Sequence, residues 1–166
     1  AFDGCSGMKT ISIPNSVIKI ERGAFSDCSA LTELIIPDSV EAIEDHFFKG
    51  CTSLRHIAVS DGNPKYDSRE DCNAIIRTAD STLMFAYQKS VIPDTVKAIG
   101  ESAFAKCERL NGITIPASVV LIDKYAFMGC TGLTGISIPD SVTDIEWSAF
   151  KGCTGLTELI IPDSVK

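Results

Sequence analysis

The sequence predicts an α/β-type repeat solenoid, mostly short strands with turns, and three observations carry that prediction. The phrase AFKGCTGLTELIIPDSVK at Ala149–Lys166 recurs as AFMGCTGLTGISIPDSV from Ala126, AFAKCERLNGITIPASV from Ala103, AFSDCSALTELIIPDSV from Ala24 and AFDGCSGMKTISIPNSV from Ala1. Phe2, Phe25 and Phe48 stand 23 residues apart, as do Phe104, Phe127 and Phe150; the cysteines at 5, 28, 51 and at 107, 130, 153 keep the same step. Between Phe48 and Phe104 the gap is 56, two periods plus ten, so one array with one interruption is expected. Such units touch only their neighbours and share a continuous core.

Each unit resolves into the same elements. In Leu133–Pro139, Leu133, Ile136 and Ile138 occupy positions one, four and six of an LxxIxI segment, and the last two alternate as a half-buried strand does. Pro139 has no N–H to continue a ladder. Asp140-Ser141 supplies turn chemistry, with side chains able to bond nearby amides. Val142 and Ile145 restore an apolar face as a second short strand, Ala149 and Phe150 pack inward, and Lys151-Gly152-Cys153 turns the chain back. Seven parallel strands are expected: 8–13, 31–36, 54–59, 89–92, 110–115, 133–138 and 156–161.

The LxxIxI segment, turn and period fit a short leucine-rich repeat. In detail, AFxGCxxLxxIxIPxSVxxI resembles the BspA-like leucine-rich repeat family, over most of 1–59 and 91–166. The resemblance implies a right-handed superhelix with a parallel sheet on its concave face. It also implies a cell-surface or exported protein of the kind found in gut and oral bacteria and some parasitic protists, with adhesion to host matrix proteins or other cells as its role, no cofactor and no catalytic residues to carry over.

The whole of 1–166 reads as one such array of about seven coils, first and last truncated, with a hairpin-like insertion at about 60–89. The chain starts and stops inside a repeat without polar caps, which predicts a piece of a longer array. In the insertion, Ser60 replaces the expected proline, Asp61-Gly62-Asn63-Pro64 is a dense turn signal, and extended stretches at 73–77 and 82–87 flank Thr78–Ser81 as a β-hairpin. Two coils are then expected, the second with its return leg rebuilt as the hairpin.

Composition narrows function. Hydrophobic residues make up 45% and charged ones 22%, the balance of a packed protein rather than a disordered one. A net charge of −7, with 15 scattered cations among 22 acids, argues against nucleic acid and anionic membranes. No apolar run is long enough to insert into a membrane. The six periodic cysteines stack as a ladder and behave as small buried hydrophobes with reduced thiols; Cys72, outside the period, is the one expected to react.

Positions three and five of each LxxIxI segment should face outward. The ligand-binding candidates on this face are Glu33, Ile35, His56, Lys89, Thr114, Ser137, Glu158 and Ile160, with His56 placed to face Glu33 and Lys89 on neighbouring strands. The face is small and mildly polar, with no matched acids, nucleophile–base pair or aromatic platform, so it suits a protein or glycan ligand or is a solvated sheet. Insertion candidates are Tyr66 and Arg69, types enriched at interface hot spots. Tyr87 either joins them or fills a leucine slot. Tyr125 and Trp147, on the return legs, either form a lateral aromatic patch or cover the coil edge. His46 and His56 lack partners spaced for zinc, and Asp61, Asp67, Glu70 and Asp71 do not follow the EF-hand order, so no metal is assigned. The function expected is a non-enzymatic protein-binding or adhesion module; the alternative is a structural spacer of a larger surface protein. Ligand identity and oligomeric state are left open.

Overall fold

Two backbone legs and three turns per repeat make up the structure, a computed structural model that describes residues 1–44 and 46–166. The second leg carries the short strands β1 (Lys19–Ile20), β3 (Ala42–Ile43), β8 (Ala98–Ile99), β9 (Leu121–Ile122) and β10 (Asp144–Ile145). These pair in parallel, each residue with its equivalent one repeat on, as in Lys19 with Ala42 and Ala98 with Leu121. The first leg carries β2 (Glu33–Ile36) and β4 (His56–Val59), also parallel, followed after the interruption by single bridges from Thr114 to Ser137 and Ser137 to Ile160. The fold is therefore the expected solenoid, but among the described residues it has no α-helix, only one 3-10 turn at Arg69–Asp71.

The seven equal first-leg strands are not what forms. Strand pairing there is continuous only between β2 and β4. Gly112 and Gly135 occupy position three of their segments, where Glu33 and His56 stand in the paired strands, and glycine weakens strand pairing by leaving no side chain to pack. At 89–92 the reason is different. Residues 68–73 lie alongside β4, so that Val59 N–H donates to Ser68 Oγ (2.9 Å) and Ile57 N–H to Asn73 Oδ1 (3.4 Å), while Val91 N–H donates to the Cys72 carbonyl (3.0 Å). The inserted segment takes the hydrogen bonds that Lys89–Ile92 would have shared with β4.

The proline turns are closed by the backbone: the valine N–H donates to the proline carbonyl three residues back, at 3.2 Å for Val40 and 3.0 Å for Val142. Their serines do not bond locally as expected. Ser39 and Ser164 instead donate to the carbonyls of Val17 and Val142 in the preceding unit, both at 2.7 Å. The cysteines do the same on the other edge: Cys28, Cys51, Cys130 and Cys153 each place Sγ 3.0–3.1 Å from the carbonyl of Phe2, Phe25, Phe104 and Phe127 respectively. All seven cysteines are free thiols. The ladder cysteine is thus a donor as well as a small hydrophobe, buried at Cys28 and Cys130 and partly covered at Cys51 and Cys153.

Inside, phenyl rings stack along the axis, Phe2–Phe25–Phe48 at 5.5 and 4.8 Å and Phe104–Phe127–Phe150 at 5.1 and 5.3 Å. The stack is broken at the insertion, where Phe85 tilts against Phe47 and Phe48. There β5 (Tyr66–Asp67), β6 (Ala74–Arg77) and β7 (Thr82–Ala86) run antiparallel, and β7 continues in parallel into β8, so the rebuilt return leg joins the second-leg sheet. Asn63 starts the detour. It stands where other units have valine, and its amide donates to Pro37 and Val40 carbonyls while its Oδ1 accepts from Lys65 and Tyr66 N–H. A buried amide satisfied on both sides redirects the chain without leaving an orphan group.

Candidate binding face

The outward positions of the first leg fall as the alternation demands: Glu33, Ile35, His56, Lys89, Thr114, Ser137, Glu158 and Ile160 are all exposed on the solvent side of their rungs. The structure brings some of them together and separates others. Glu33 and His56 are register partners, with His56 Nδ1 3.0 Å from Glu33 Oε1, but both are half exposed, and such a pair contributes little in water. Lys89 is not beside His56, because residues 68–73 intervene. Thr114, Ser137 and Ile160 share one ladder through the parallel bridges.

Beyond the interruption this face opens into a trough of about 710 Å³, floored by Gly112, Gly135, Thr114 and Ser137 and walled on one side by Ser90, Val91 and Asp94. The glycines make it. An added Cβ at either would meet nothing within 4 Å, so the backbone is bare to solvent. Val91 is 64% exposed and lines the trough, and Ile160, at 70%, follows on the next rung. Sequence reasoning placed Thr114 and Ser137 outward but missed the trough; glycine at position three of two successive units was the available signal.

The insertion candidates are corrected. Tyr66 is only 6% exposed, and its hydroxyl accepts the Ile43 N–H at 2.9 Å; it closes the core instead of anchoring a partner. Arg69 is half-buried and its guanidinium fork is taken by Asp67, Nε to Oδ1 at 2.8 Å and Nη2 to Oδ2 at 2.5 Å, with Nη1 3.3 Å from Thr95 Oγ1. Both residues fasten the insertion to neighbouring units. Asp67, one of the acids near the first turn, is spent on the same pair. Tyr87 is buried in the leucine slot and donates its hydroxyl to the Arg55 carbonyl.

Cys72 is not the reactive thiol. It is 1% exposed, and burial pushes its pKa up to about 11. Burial likewise raises Cys51 and Cys130 to about 12. Cys5 is the exposed cysteine. On the return legs, Tyr125 and Trp147 meet edge to face with centroids 4.5 Å apart, and Trp147 is 60% exposed. Among the described residues, no three of His, Cys, Asp and Glu converge as a metal-binding group, and no helix is long and apolar enough to cross a membrane.

What these repeats define is a leucine-rich-repeat solenoid, a fold that typically serves as a non-enzymatic scaffold. The pattern of the BspA type leucine rich repeat region matches in six copies over residues 1–72 and 84–166, and the chain belongs to that family. Among solved structures it is similar to the pneumococcal vaccine antigen PcpA, with 25% identity, a TM-score of 0.79, and coverage of 95% of this chain and 46% of that one. It is also similar to a leucine rich cell surface protein from Faecalibacterium prausnitzii A2-165, with 27% identity, a TM-score of 0.78, and coverage of 99% and 50%. A leucine-rich repeat protein from Bacteroides ovatus ATCC 8483 shares 29% identity at a TM-score of 0.61, over 95% of this chain and 41% of that one. No curated protein matches. The chain spans about half the length of the structures it resembles.

Proposed function

We propose that the chain is a non-enzymatic binding or adhesion module of a cell-surface protein, and that it recognises protein partners through the first-leg face. The observation that carries this reading is the trough over Gly112, Gly135, Thr114 and Ser137, because a concave strip with bare backbone and a neighbouring exposed valine offers both hydrogen-bonding groups and apolar contact. Two of the similar structures are described as a cell surface protein and a vaccine antigen, which supports a surface location.

The test is surface capture of purified host matrix and plasma proteins, comparing the native chain with Val91→Asp and Ser137→Arg in the trough and with Glu33→Lys beside His56. Unfolding midpoints establish that each variant is folded. We expect one matrix protein to be retained by the native chain and lost on the trough variants. Equal retention by all of them, or none by any, would favour a structural spacer that positions other domains.

A further inference from the structure

On the edge that carries the cysteines, one unit is cut short. Five residues separate Phe from Leu in the ordinary units, as between Phe48 and Leu54 or Phe104 and Leu110, but only Ala86 separates Phe85 from Tyr87. One turn is therefore missing from the stack. The space it leaves is a notch of about 240 Å³ between the turn of the Phe48 unit and that of the Phe104 unit.

Its lining is unlike the rest of this acidic molecule. Arg55 and Ser53 come from one turn, Lys106, Glu108 and Arg109 from the other, and Gln88 from the shortened unit between them. None of the three cations is in a salt bridge among the described residues, although acids outnumber bases in the chain. The missing turn also explains Arg109. The equivalent position in the next unit is Gly132, where an added Cβ would lie 2.5 Å from the Glu108 carbonyl oxygen of the turn before it. With no turn before it, position 109 has room for a long side chain. Arg55 is anchored at its backbone, its N–H donating to the Thr32 carbonyl at 2.9 Å and its carbonyl accepting from Tyr87.

We propose that this notch binds one acidic sugar residue, with its carboxylate or sulfate group held by Arg55, Lys106 and Arg109. Two guanidinium forks and an ammonium suit an oxyanion, and planar forks do so bidentately. Glu108 decides against a bare anion: a carboxylate in the lining is an acceptor for hydroxyls, while Ser53 and Gln88 offer both donors and acceptors, so the ligand carries hydroxyl groups beside its charge. The volume is below the roughly 300 Å³ at which drug-sized sites begin, which fits a single ring. The net charge of −7 opposes a long polyanion passing over the surrounding surface.

The test is calorimetric titration of the intact chain with glucuronate, N-acetylneuraminate, a 6-sulfated hexose, neutral glucose, inorganic sulfate and an acidic peptide. Binding of at least one acidic sugar is expected, with glucose and inorganic sulfate weaker, and the carboxylated and sulfated sugars separate the two oxyanions. Arg55→Glu and Arg109→Glu should each weaken it by at least about tenfold. Arg109→Gln serves as the milder change if the reversal unfolds the chain. Lys97→Glu, an exposed cation elsewhere, and Val91→Asp in the trough should leave it unchanged, so this result stands or falls apart from the proposed protein-binding face. The proposal is overturned if no acidic sugar binds, if Lys97→Glu weakens binding equally, or if sulfate or the peptide binds as tightly as the sugars.

Discussion

Strands β2 and β6 are each four residues long and are buried in opposite ways. In β2, Leu34 and Ile36 point inward while Glu33 and Ile35 face solvent. In β6, Ala74, Ile75 and Ile76 are all fully buried. The difference lies in what flanks them. A regular rung has core on one side and water on the other, whereas β6 has core on both. Ile75 packs in the cluster that runs from Ile20 to Val59, and Ala74 and Ile76 in the cluster that runs from Ile92 to Ala149. In β7, Leu83 and Ala86 join the second cluster while Met84 and Phe85 lie against the first. The hairpin is a partition between two apolar cores, and the interruption of the repeat is a joint that both halves need.

The largest effect we expect comes from alkali, and it acts on the regular rungs and the partition together. Burial raises Cys51 and Cys130 from 9.0 to about 12 and Cys72 to about 11. Between pH 9 and those values the unfolded chain ionises its thiols while the folded chain keeps them protonated. The folded state then holds more protons, so stability is fully present below about pH 9 and falls as pH rises, at most by roughly 1.4 kcal/mol per thiol per pH unit. Denaturant midpoints measured from about pH 8 to about pH 11 should hold up to about pH 9 and drop beyond it, and Cys130→Ala should flatten the decline. A midpoint constant across that range would contradict the buried thiol ladder.

Substitutions on the two faces of β6 sharpen the comparison next. Ile75→Ala and Ile76→Ala should each cost about 2–5 kcal/mol through lost burial and a cavity. They should differ in place. Hydrogen exchange should loosen the β2–β4 rungs for Ile75→Ala and the β8–β10 rungs for Ile76→Ala, since repeat arrays open unit by unit. Identical exchange patterns for the two variants would mean that the hairpin does not divide the core.

The regular rungs were largely legible in the sequence because one periodic position has one environment: the in-and-out alternation at Glu33, Ile35, Thr114 and Ser137 follows from the repeat alone. The partition was less so. The hairpin strands were readable from their apolar runs and the intervening Thr78–Ser81, but Tyr66, Arg69 and Cys72 were misplaced because residues outside a period carry no positional information. A tyrosine or arginine in a long loop looks like a surface anchor until the loop is seen to pack between two units. The trough and the notch were hidden for a related reason: both are defined by missing atoms, the glycine side chains in one and a whole turn in the other.

The smallest effect we expect tests why the regular turns repeat their glycine. Gly129 and Gly152 sit at φ +74° and +75°, and Lys106 holds the same place in its unit at φ +63°. A Cβ at Gly129 would make only ordinary contacts, 3.7 Å from Lys106 Cγ, so Gly129→Ala isolates backbone strain from crowding. A left-handed conformation costs a residue with a Cβ about 1–2 kcal/mol, and Gly129→Ala should lower stability by that amount. Lys106→Gly removes the same strain but adds freedom to the unfolded chain worth about 0.4–1 kcal/mol, so its net gain should be smaller, at most about 1.6 kcal/mol. Opposite signs for these two substitutions, read as unfolding midpoints, would establish that the turn demands a left-handed residue in every unit. Lys106 is then tolerated against backbone preference, as Asp27 is at the same place in its own unit at φ +55°.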